Sequence, residues 1–227
     1  MKFFRKIRFD LVGRKQTAKY LGYAVGEIVL VVIGILIALQ INNWNEARKQ
    51  AIEEEQFIAG IKNDLRQDRD YIELVIKIAE PRIEAYKRLN QELPELYDTD
   101  REALTQIFRN YFVSQRTFYP ISGSFQSAIS GNEINKYRNK DVTRAIIKLY
   151  NSTYARLLDN AELLDARWGY LTRKYSHERR TGEWRELNPE QISELLDDIH
   201  HHYIQLEWYV AILKDSLVEI DALLQEN

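Results

Sequence analysis

A single carboxylate interrupts the most apolar stretch of this 227-residue chain. Glu27 lies within Tyr20–Ile41, YLGYAVGEIVLVVIGILIALQI, which is otherwise apolar except for Gln40. An ionised carboxylate at that depth in a bilayer is costly, so we expect Glu27 to be protonated, to hydrogen-bond across helices, or to face water. Its role is either to specify helix packing or to exchange protons along a narrow ion path.

Histidines are the next candidates, as metal ligands. His200, His201 and His202 are consecutive, so on a helix their side chains point about 100° apart and cannot all bind one ion. Asp198 and His202, at i and i+4, could form half of a metal site, with His177 as a conceivable third ligand. The other interpretation is a polar turn within a long helix. We expect no metal, no cofactor and no enzymatic activity, and the chain has no cysteine.

A third candidate is a group of cations and an indole in one inter-helix segment, suited to an acidic ligand through ion pairs and cation-π contacts. It consists of Arg179, Arg180, Trp184 and Arg185. The alternative is a loop that packs on the end of its own domain.

The element that must hold Glu27 is a transmembrane helix over residues 20–41, about 33 Å long and sufficient for a hydrocarbon core of about 30 Å. Tyr20, Tyr23 and Trp44 are placed as interface anchors. Small residues recur within this segment at spacings of four, eight and four, namely at Gly22, Gly26, Gly34 and Ala38. Such a pattern predicts helix–helix association, although glycine is also common in membrane helices.

Orientation follows from the basic residues before this segment. Residues 1–19 carry seven lysines and arginines against Asp10, whereas acidic residues dominate after the segment. The positive-inside rule therefore predicts a cytoplasmic N-terminus and places residues 42–227 outside. A cleaved signal peptide is the competing interpretation. Four of the bases could also contact the inner leaflet from a short amphipathic helix: Lys2, Arg5, Lys6 and Arg8.

Beyond the membrane segment, apolar residues recur at helical spacing and predict an all-α, elongated antiparallel bundle with coiled-coil character in one domain. Pro81 should kink or interrupt the first helix. Thr99 and Glu102 are spaced as a capping box, and Asn188 with Pro189 opens the last helix. The predicted long helices cover residues about 45–80, 139–176 and 189–225, and the shorter ones about 82–97, 100–113 and 123–130.

Three segments resemble a known family. GEIVLVVIGILIALQINNWNE, Gly26–Glu46, is similar to the signature of an uncharacterised family of Bacteroidota single-span membrane proteins, a domain of unknown function. Lys19–Ala24 and Ser124–Tyr150 also resemble that family's pattern. The resemblance implies a diderm envelope with the helical domain in the periplasm, and it implies no activity.

These observations predict a bitopic inner-membrane scaffold or sensor-like interaction protein that self-associates through its membrane helix. Expected partners are membrane lipids, other copies of the chain and an unidentified membrane or envelope protein. A formal net charge of -2 gives no general affinity for nucleic acid. The first alternative is a subunit of a proton-coupled or ion-conducting assembly that uses Glu27. The second is a periplasmic metal-dependent enzyme.

Overall fold

The computed structural model describes the backbone of residues 17–183 and 188–226, with side chains from residue 21 onwards except that of Pro94. The fold is all-α, as predicted, and no strand occurs within those ranges. The chain divides into two compact units, Met1–Glu54 and Glu55–Asn227. In chain order the elements are α1 (Thr17–Thr99), α2 (Arg101–Tyr111), α3 (Gly123–Ser130), a 3-10 turn (Ile134–Lys136), α4 (Lys140–Lys148), a π-helical turn (Leu149–Thr153), α5 (Tyr154–Lys174), α6 (Ser176–Thr181) and α7 (Pro189–Gln225).

The first unit contains the apolar part of α1. Large apolar side chains from Leu21 to Ile41 are 47–67% exposed. The most apolar 18-residue window has a mean hydropathy of 2.6 and no buried residue. By length and composition this helix could therefore cross a membrane. Its first described residue is Thr17, so most of the predicted segment 1–19, with Lys2, Arg5, Lys6 and Arg8, lies outside the described residues.

In the second unit, α7 is antiparallel to α1. Arg69 Nε on α1 donates to Asp221 Oδ1 at 2.8 Å. Further along α1, Glu80 pairs with Lys214, which comes earlier in α7, at 3.0 Å. The contacts thus run in opposite directions along the two helices.

The run formed by α4, the π-helical turn and α5 is also antiparallel to α7. Lys148 at the end of α4 pairs with Glu219 at 2.8 Å. Lys174 at the end of α5 pairs with Asp198 near the start of α7 at 2.6 Å. The α4–α5 run is therefore parallel to α1, and α7 is antiparallel to both. These three long helical stretches form the bundle that the sequence predicts.

The predicted interruption at Pro81 is wrong. Helix α1 continues through this residue, so the predicted helices 45–80 and 82–97 are one. Pro81 is exposed, and the carbonyl it leaves without an amide donor belongs to Lys77, which is also exposed and open to water. Ile83 and the apolar stripe on either side remain buried, and their packing outweighs the lost hydrogen bond.

The start of α2 also differs from the prediction. Asp100, one residue after Thr99, is the N-cap, and its Oδ1 accepts the Ala103 N–H at 3.0 Å. The Thr99 hydroxyl instead donates to the Glu95 carbonyl at 2.8 Å, back into the last turn of α1. A threonine hydroxyl can bond the carbonyl four residues earlier, and here that bond replaces the predicted capping box.

The remaining helices follow the predicted order, and two short elements are added to it, the 3-10 turn and α6. The predicted helix 139–176 corresponds to α4, the π-helical turn and α5, and α6 lies in the predicted break after it. Helix α7 begins at Pro189 with a full capping box: Asn188 Oδ1 accepts the Gln191 N–H, and Gln191 Oε1 accepts the Asn188 N–H, both at 2.9 Å. These caps are local in sequence, which is why the start of α7 could be predicted.

Two apolar clusters fill the bundle. The first joins α1 from Phe57 to Ile83 with α3, the α4–α5 run and the C-terminal half of α7. The second joins the end of α1 with α2, the end of α5 and the start of α7. Tyr203 packs against both clusters, so together they form one core along the second unit.

Candidate functional site

Glu27 lies on the same face of α1 as two small residues. At about 100° per residue, Glu27 is about 20° from both Gly34 and Ala38 around the helix. Gly22 and Gly26 form a second pair, with about 80° between Gly26 and Gly34. The four small residues thus form two neighbouring pairs. Among described residues, no atom lies within 4 Å of a Cβ built at any of the three glycines, so both faces admit a close neighbour.

The other predicted membrane residues occupy the surface of the same helix. Tyr23 is 56% exposed and Trp44 is 66% exposed, whereas the Tyr20 side chain lies outside the described residues. Glu27 is half-buried against its own helix and lines a shallow groove with Ala24 and Val31. Nothing in this arrangement conflicts with the predicted anchoring role.

A buried arginine organises the middle of the second unit. Arg82 is 1% exposed and lies with its Cζ 4.4 Å from the centroid of the Trp168 ring. Its Nε donates to the Tyr111 carbonyl at 3.0 Å, and its Nη2 donates to the Val113 carbonyl at 2.8 Å. Tyr111 is the last residue of α2, where helix carbonyls lack amide partners and the dipole favours a cation, and Val113 follows just beyond the C-cap. Arg82 therefore caps α2 from another helix.

Gln115 connects this guanidinium to a carboxylate. Its Oε1 accepts from Arg82 Nη1 at 3.0 Å, and its Nε2 donates to Asp165 Oδ1 at 2.7 Å. Thr117 Oγ1 donates to the other carboxylate oxygen of Asp165 at 2.9 Å. The positive and negative groups are thus joined through an amide, without direct contact. Together with Tyr111 and His202, these residues form what we term the Arg82 cluster.

His202 is fully buried in the Arg82 cluster as a neutral imidazole. Its Nε2 lies 2.9 Å from Gln115 Oε1, which can only accept, so Nε2 carries the proton. Its Nδ1 then accepts from the Tyr111 hydroxyl at 2.7 Å. Burial, with the nearby charges of Arg82 and Arg167, lowers the pKa of His202 to about 3. The same burial lowers the pKa of Arg82 to about 10, which leaves it charged at neutral pH.

Two aspartates on α1 hold the other end of the segment that follows α2. Asp68, 1% exposed, accepts the Ile121 N–H at 2.9 Å and the Tyr154 O–H at 2.9 Å. Asp64, one turn earlier, accepts the Ser124 N–H at 3.2 Å. Burial raises the pKa of Asp68 to about 6; the bonds from Ile121 and Tyr154 oppose this increase and the Asp64 charge adds to it. Ser124 lies in the first turn of α3, where acceptors are favourable.

Helix α1 therefore fixes both ends of the extended segment 113–122. Tyrosines from the other helices bond its middle: the Tyr209 hydroxyl accepts the Phe118 N–H at 2.8 Å, and the Tyr150 O–H donates to the Ile121 carbonyl at 3.0 Å. Phe118 itself is fully buried. A non-helical segment can cross a helical core only when side chains satisfy its backbone, as they do here.

The predicted metal ligands belong to other interactions. Both ring nitrogens of His202 are used in the Arg82 cluster, and Asp198 Oδ2 accepts from Lys174 Nζ at 2.6 Å and from the Tyr175 hydroxyl at 2.8 Å. His177 lies on α6. Among the described residues, no group of three or more histidine, aspartate or glutamate side chains could hold a metal ion. The structure thus assigns Asp198 and His202 to side-chain bonding within the bundle.

Only half of the predicted cationic patch can be placed. Arg179 and Arg180 are exposed in the last turn of α6, whereas Trp184 and Arg185 lie outside the described residues. The Cζ of Arg179 is 5.8 Å from the centroid of Trp168, the indole that also lies over Arg82. A tryptophan does therefore accompany these arginines, but it comes from α5.

Sequence reasoning missed the buried charges, although a signal for them exists. Asp64 and Asp68 occur at the same helical phase as the buried Ile61 and Leu65, and Arg82 adjoins buried Ile83. A charged residue on the apolar face of a helix must find a partner in the core. The position of such a residue on the apolar face indicates that it forms a hydrogen bond or ion pair in the core. The partner cannot be read from the sequence, because it lies 29 to 86 residues away in these cases.

Residues 27–178 match the profile of a family described as a family of unknown function, DUF6090. The chain belongs to this family. The matched range includes Glu27, the extended segment 113–122 and the residues of α1 that hold it, and it ends before α7. No curated protein and no solved structure matches the chain.

Proposed function

We propose that this DUF6090 protein is a bitopic inner-membrane scaffold or sensor-like interaction protein that works without catalysis. Its N-terminus lies in the cytoplasm, residues 42–227 lie in the periplasm, and copies associate through the membrane helix. The observation that carries this proposal is the exposed apolar surface of α1 between Leu21 and Ile41. A soluble protein rarely leaves so large an apolar surface uncovered, whereas lipid and a second helix would cover it.

Self-association is supported by the two faces that carry small residues. Lipid chains are as apolar as leucine, so helices associate in a membrane through close packing and polar contacts. Gly34 and Ala38 allow that approach on one face, and Glu27 lies on the same face. A protonated Glu27 in such a contact could hydrogen-bond to its neighbour and avoid the cost of an unpaired carboxylate in lipid.

The first experiment is native mass spectrometry of the full chain, extracted gently from its own membrane. We expect a homo-oligomer. The double variant Gly34→Leu/Ala38→Leu should shift it to the monomer, because leucine side chains would separate the helix backbones. Gly22→Leu/Gly26→Leu tests the second face in the same way. Ile28→Leu/Val32→Leu, at least about 80° around the helix from every one of the four small residues, is the matched control and should leave the oligomer unchanged.

A monomeric wild-type protein would refute self-association, as would an oligomer that survives both small-residue double variants. Topology is tested separately, since the chain has no cysteine. Gln126→Cys should react with a membrane-impermeant maleimide on intact spheroplasts, and Gln16→Cys only after permeabilisation. The opposite labelling would reverse the proposed orientation.

A second candidate function is a subunit of a proton-coupled or ion-conducting assembly. It is supported by the location of Glu27 on the Gly34–Ala38 face, where several copies would bring their carboxyl groups together. In proteoliposomes, Glu27→Gln should abolish proton flux and leave the oligomer mass unchanged. Wild-type proteoliposomes that show no flux, or a glutamine variant with unchanged flux, would exclude this function.

A further inference from the structure

Three helices end at one corner of the second unit, and each brings an arginine. Arg109 is in the last turn of α2, Arg173 in the last turn of α5, and Arg179 and Arg180 in the last turn of α6. A cation in the last turn of a helix interacts favourably with the helix dipole, so arginines at these positions stabilise their helices. We call the exposed group Arg109, Trp168, Arg179 and Arg180 the basic corner.

Arg109 lies against a glycine turn. Its guanidinium lies against Gly182, so closely that a Cβ at that position would meet Cζ and Nε of Arg109 at 3.2 Å. Gly182 ends α6 with a φ of +71°, a conformation that glycine adopts without strain. Gly182 closely follows Arg179 and Arg180 in the chain. Its contact with Arg109 therefore brings α2 next to these two arginines in space. This proximity arises from the fold and is invisible in the sequence.

Trp168 provides the apolar part of the corner. Its ring is half-exposed and stacks on Phe112 with centroids 5.5 Å apart, one turn beyond Arg109 on α2. The Cζ of Arg179 lies 5.8 Å from the same ring. A half-exposed indole therefore accompanies the Arg179 guanidinium, and tryptophan and arginine are both enriched at binding hot spots.

The segments that build the corner carry an excess of positive charge, of which Lys174 is neutralised by Glu194 and Asp198 of α7. Residues 101–116 and 166–183 contain eight arginines and lysines and only three glutamates. Of these glutamates, Glu102 is at the far end of α2, Glu178 is buried and Glu183 is exposed beside Gly182. Among the described carboxylates, none lies within salt-bridge distance of Arg109, Arg179 or Arg180.

We propose that the basic corner is a docking surface for an acidic segment of a partner protein. Guanidinium groups bind planar carboxylates through paired N–H donors, and their weak hydration favours such contacts over lysine-like point charges. Three exposed guanidiniums, one of them beside an indole, would bind a short run of aspartates or glutamates with an apolar residue among them. The surface lies in the second unit and binds its partner whether or not the membrane segment self-associates.

The test uses the full chain in neutral phosphatidylcholine nanodiscs. The probe is a fluorescein-labelled peptide of alternating aspartate and leucine, and a matched peptide has asparagine in place of aspartate. Fluorescence anisotropy measures binding at several salt concentrations. We expect the aspartate peptide to bind, to weaken with salt, and to lose affinity about tenfold in the triple variant Arg109→Gln/Arg179→Gln/Arg180→Gln. Near-ultraviolet circular dichroism verifies that the variant is folded.

A matched charge control removes three exposed cations elsewhere, as Arg66→Gln/Lys136→Gln/Arg156→Gln, and should stay within about twofold of the wild type. If the first triple variant misfolds, the single exposed substitution Arg180→Glu tests the same surface and should also weaken binding. Equal affinity for the asparagine peptide, or equal loss in both triple variants, would overturn the proposal. Displacement of the peptide by soluble dihexanoyl phosphatidylglycerol would assign the corner to lipid headgroups and overturn it as well.

Discussion

Arg82 shows how a buried cation is tolerated in this core without a carboxylate in contact. Its three nitrogens donate to two carbonyls and to Gln115, and the Trp168 ring covers one side of the guanidinium. The nearest compensating charge, Asp165, is reached through the Gln115 amide. Because charge-assisted bonds replace the lost water, the guanidinium stays charged, and burial together with this positive charge keeps His202 neutral. The protonation states of these residues are therefore set as a group.

The first prediction concerns Asp68. Its pKa is raised from 3.8 to about 6, so between these values the native state binds a proton that the unfolded chain releases. The free energy of unfolding must then fall as pH rises from about 4 to about 6. Asp68→Asn cannot ionise, so relative to the wild type it should gain about 3 kcal/mol between pH 4 and pH 7. Guanidinium titrations in detergent, followed by near-ultraviolet circular dichroism, measure this difference.

The control for Asp68 is Asp70→Asn, an exposed aspartate on the same helix. It should track the wild type at every pH, because surface charges contribute little. A pH-independent gap between Asp68→Asn and the wild type would show that Asp68 is ionised throughout this range and would contradict the prediction.

The second prediction concerns His202 and has the opposite sign. Its pKa is lowered from 6.5 to about 3, so between these values the unfolded chain binds a proton that the native state does not. Its contribution to the free energy of unfolding is complete above about pH 6.5 and decreases as the pH falls towards 3. His202→Gln should remove this dependence and cost about 1–3 kcal/mol at pH 7, because it breaks bonds to Tyr111 and Gln115. Denaturant titrations across this pH range provide the measurement.

His201→Gln is the natural comparison for His202, since His201 is exposed and adjacent. We expect it to leave both the stability and its pH dependence unchanged. In the wild type, the pH dependences of unfolding due to Asp68 and His202 partly cancel. Each variant removes only one of them, so the same titrations measure the two contributions separately. A His201 variant that reproduced the His202 result would show that the effect arises from the surface.

At the scale of elements, α1 is the reference to which the other helices attach. Arg82 caps the C-terminal end of α2, and Asp64 and Asp68 accept amides at the N-terminal end of α3. These signs match the helix dipoles, with a cation at negative ends and carboxylates at positive ends. The extended segment 113–122 is consequently positioned by charges on one helix.

The third prediction tests this attachment with Arg82→Lys. Lysine keeps the positive charge but lacks the planar fork, so it cannot bond the Tyr111 and Val113 carbonyls and Gln115 together. Buried acceptors would lose their donors, and we expect a loss of about 2–4 kcal/mol in the free energy of unfolding. Hydrogen–deuterium exchange should accelerate in segment 113–122 first. Arg88→Lys, at an exposed arginine paired with Glu92, should change neither quantity.

Helix boundaries could be predicted where residues within one turn determine them. They could be predicted less well where contacts between residues far apart in the sequence determine them. Asn188 and Pro189 open α7 because the cap and its partner Gln191 lie within one turn. Pro81 misled the prediction, since packing of α1 against other helices outweighs a local rule about proline. The Arg82 cluster could not be assembled from sequence, because Gln115 and His202 are 87 residues apart.

At the scale of the whole molecule, the two units have opposite surface chemistry. Large apolar side chains are exposed throughout Leu21–Ile41 of the first unit, whereas those of the second unit are mostly buried. Among the residues whose side chains the structure describes, the buried apolar ones occur at Phe57 or later. The first unit therefore contributes no residue to the described core.

The fourth prediction is that residues 55–227 fold without the first unit. Both apolar clusters, the Arg82 cluster and the Asp64–Asp68 contacts lie within this range, so the deletion removes none of their bonds. The shortened helix would begin at Glu55, a carboxylate placed favourably at a helix N-terminus. We expect a water-soluble monomer by analytical ultracentrifugation, with the near-ultraviolet spectrum of the full chain and the same pH effects in Asp68→Asn and His202→Gln. If the fragment instead aggregates or lacks that spectrum, the core depends on residues before Glu55. If it is folded but oligomeric, association resides in the bundle, and the proposed role of the membrane helix is wrong.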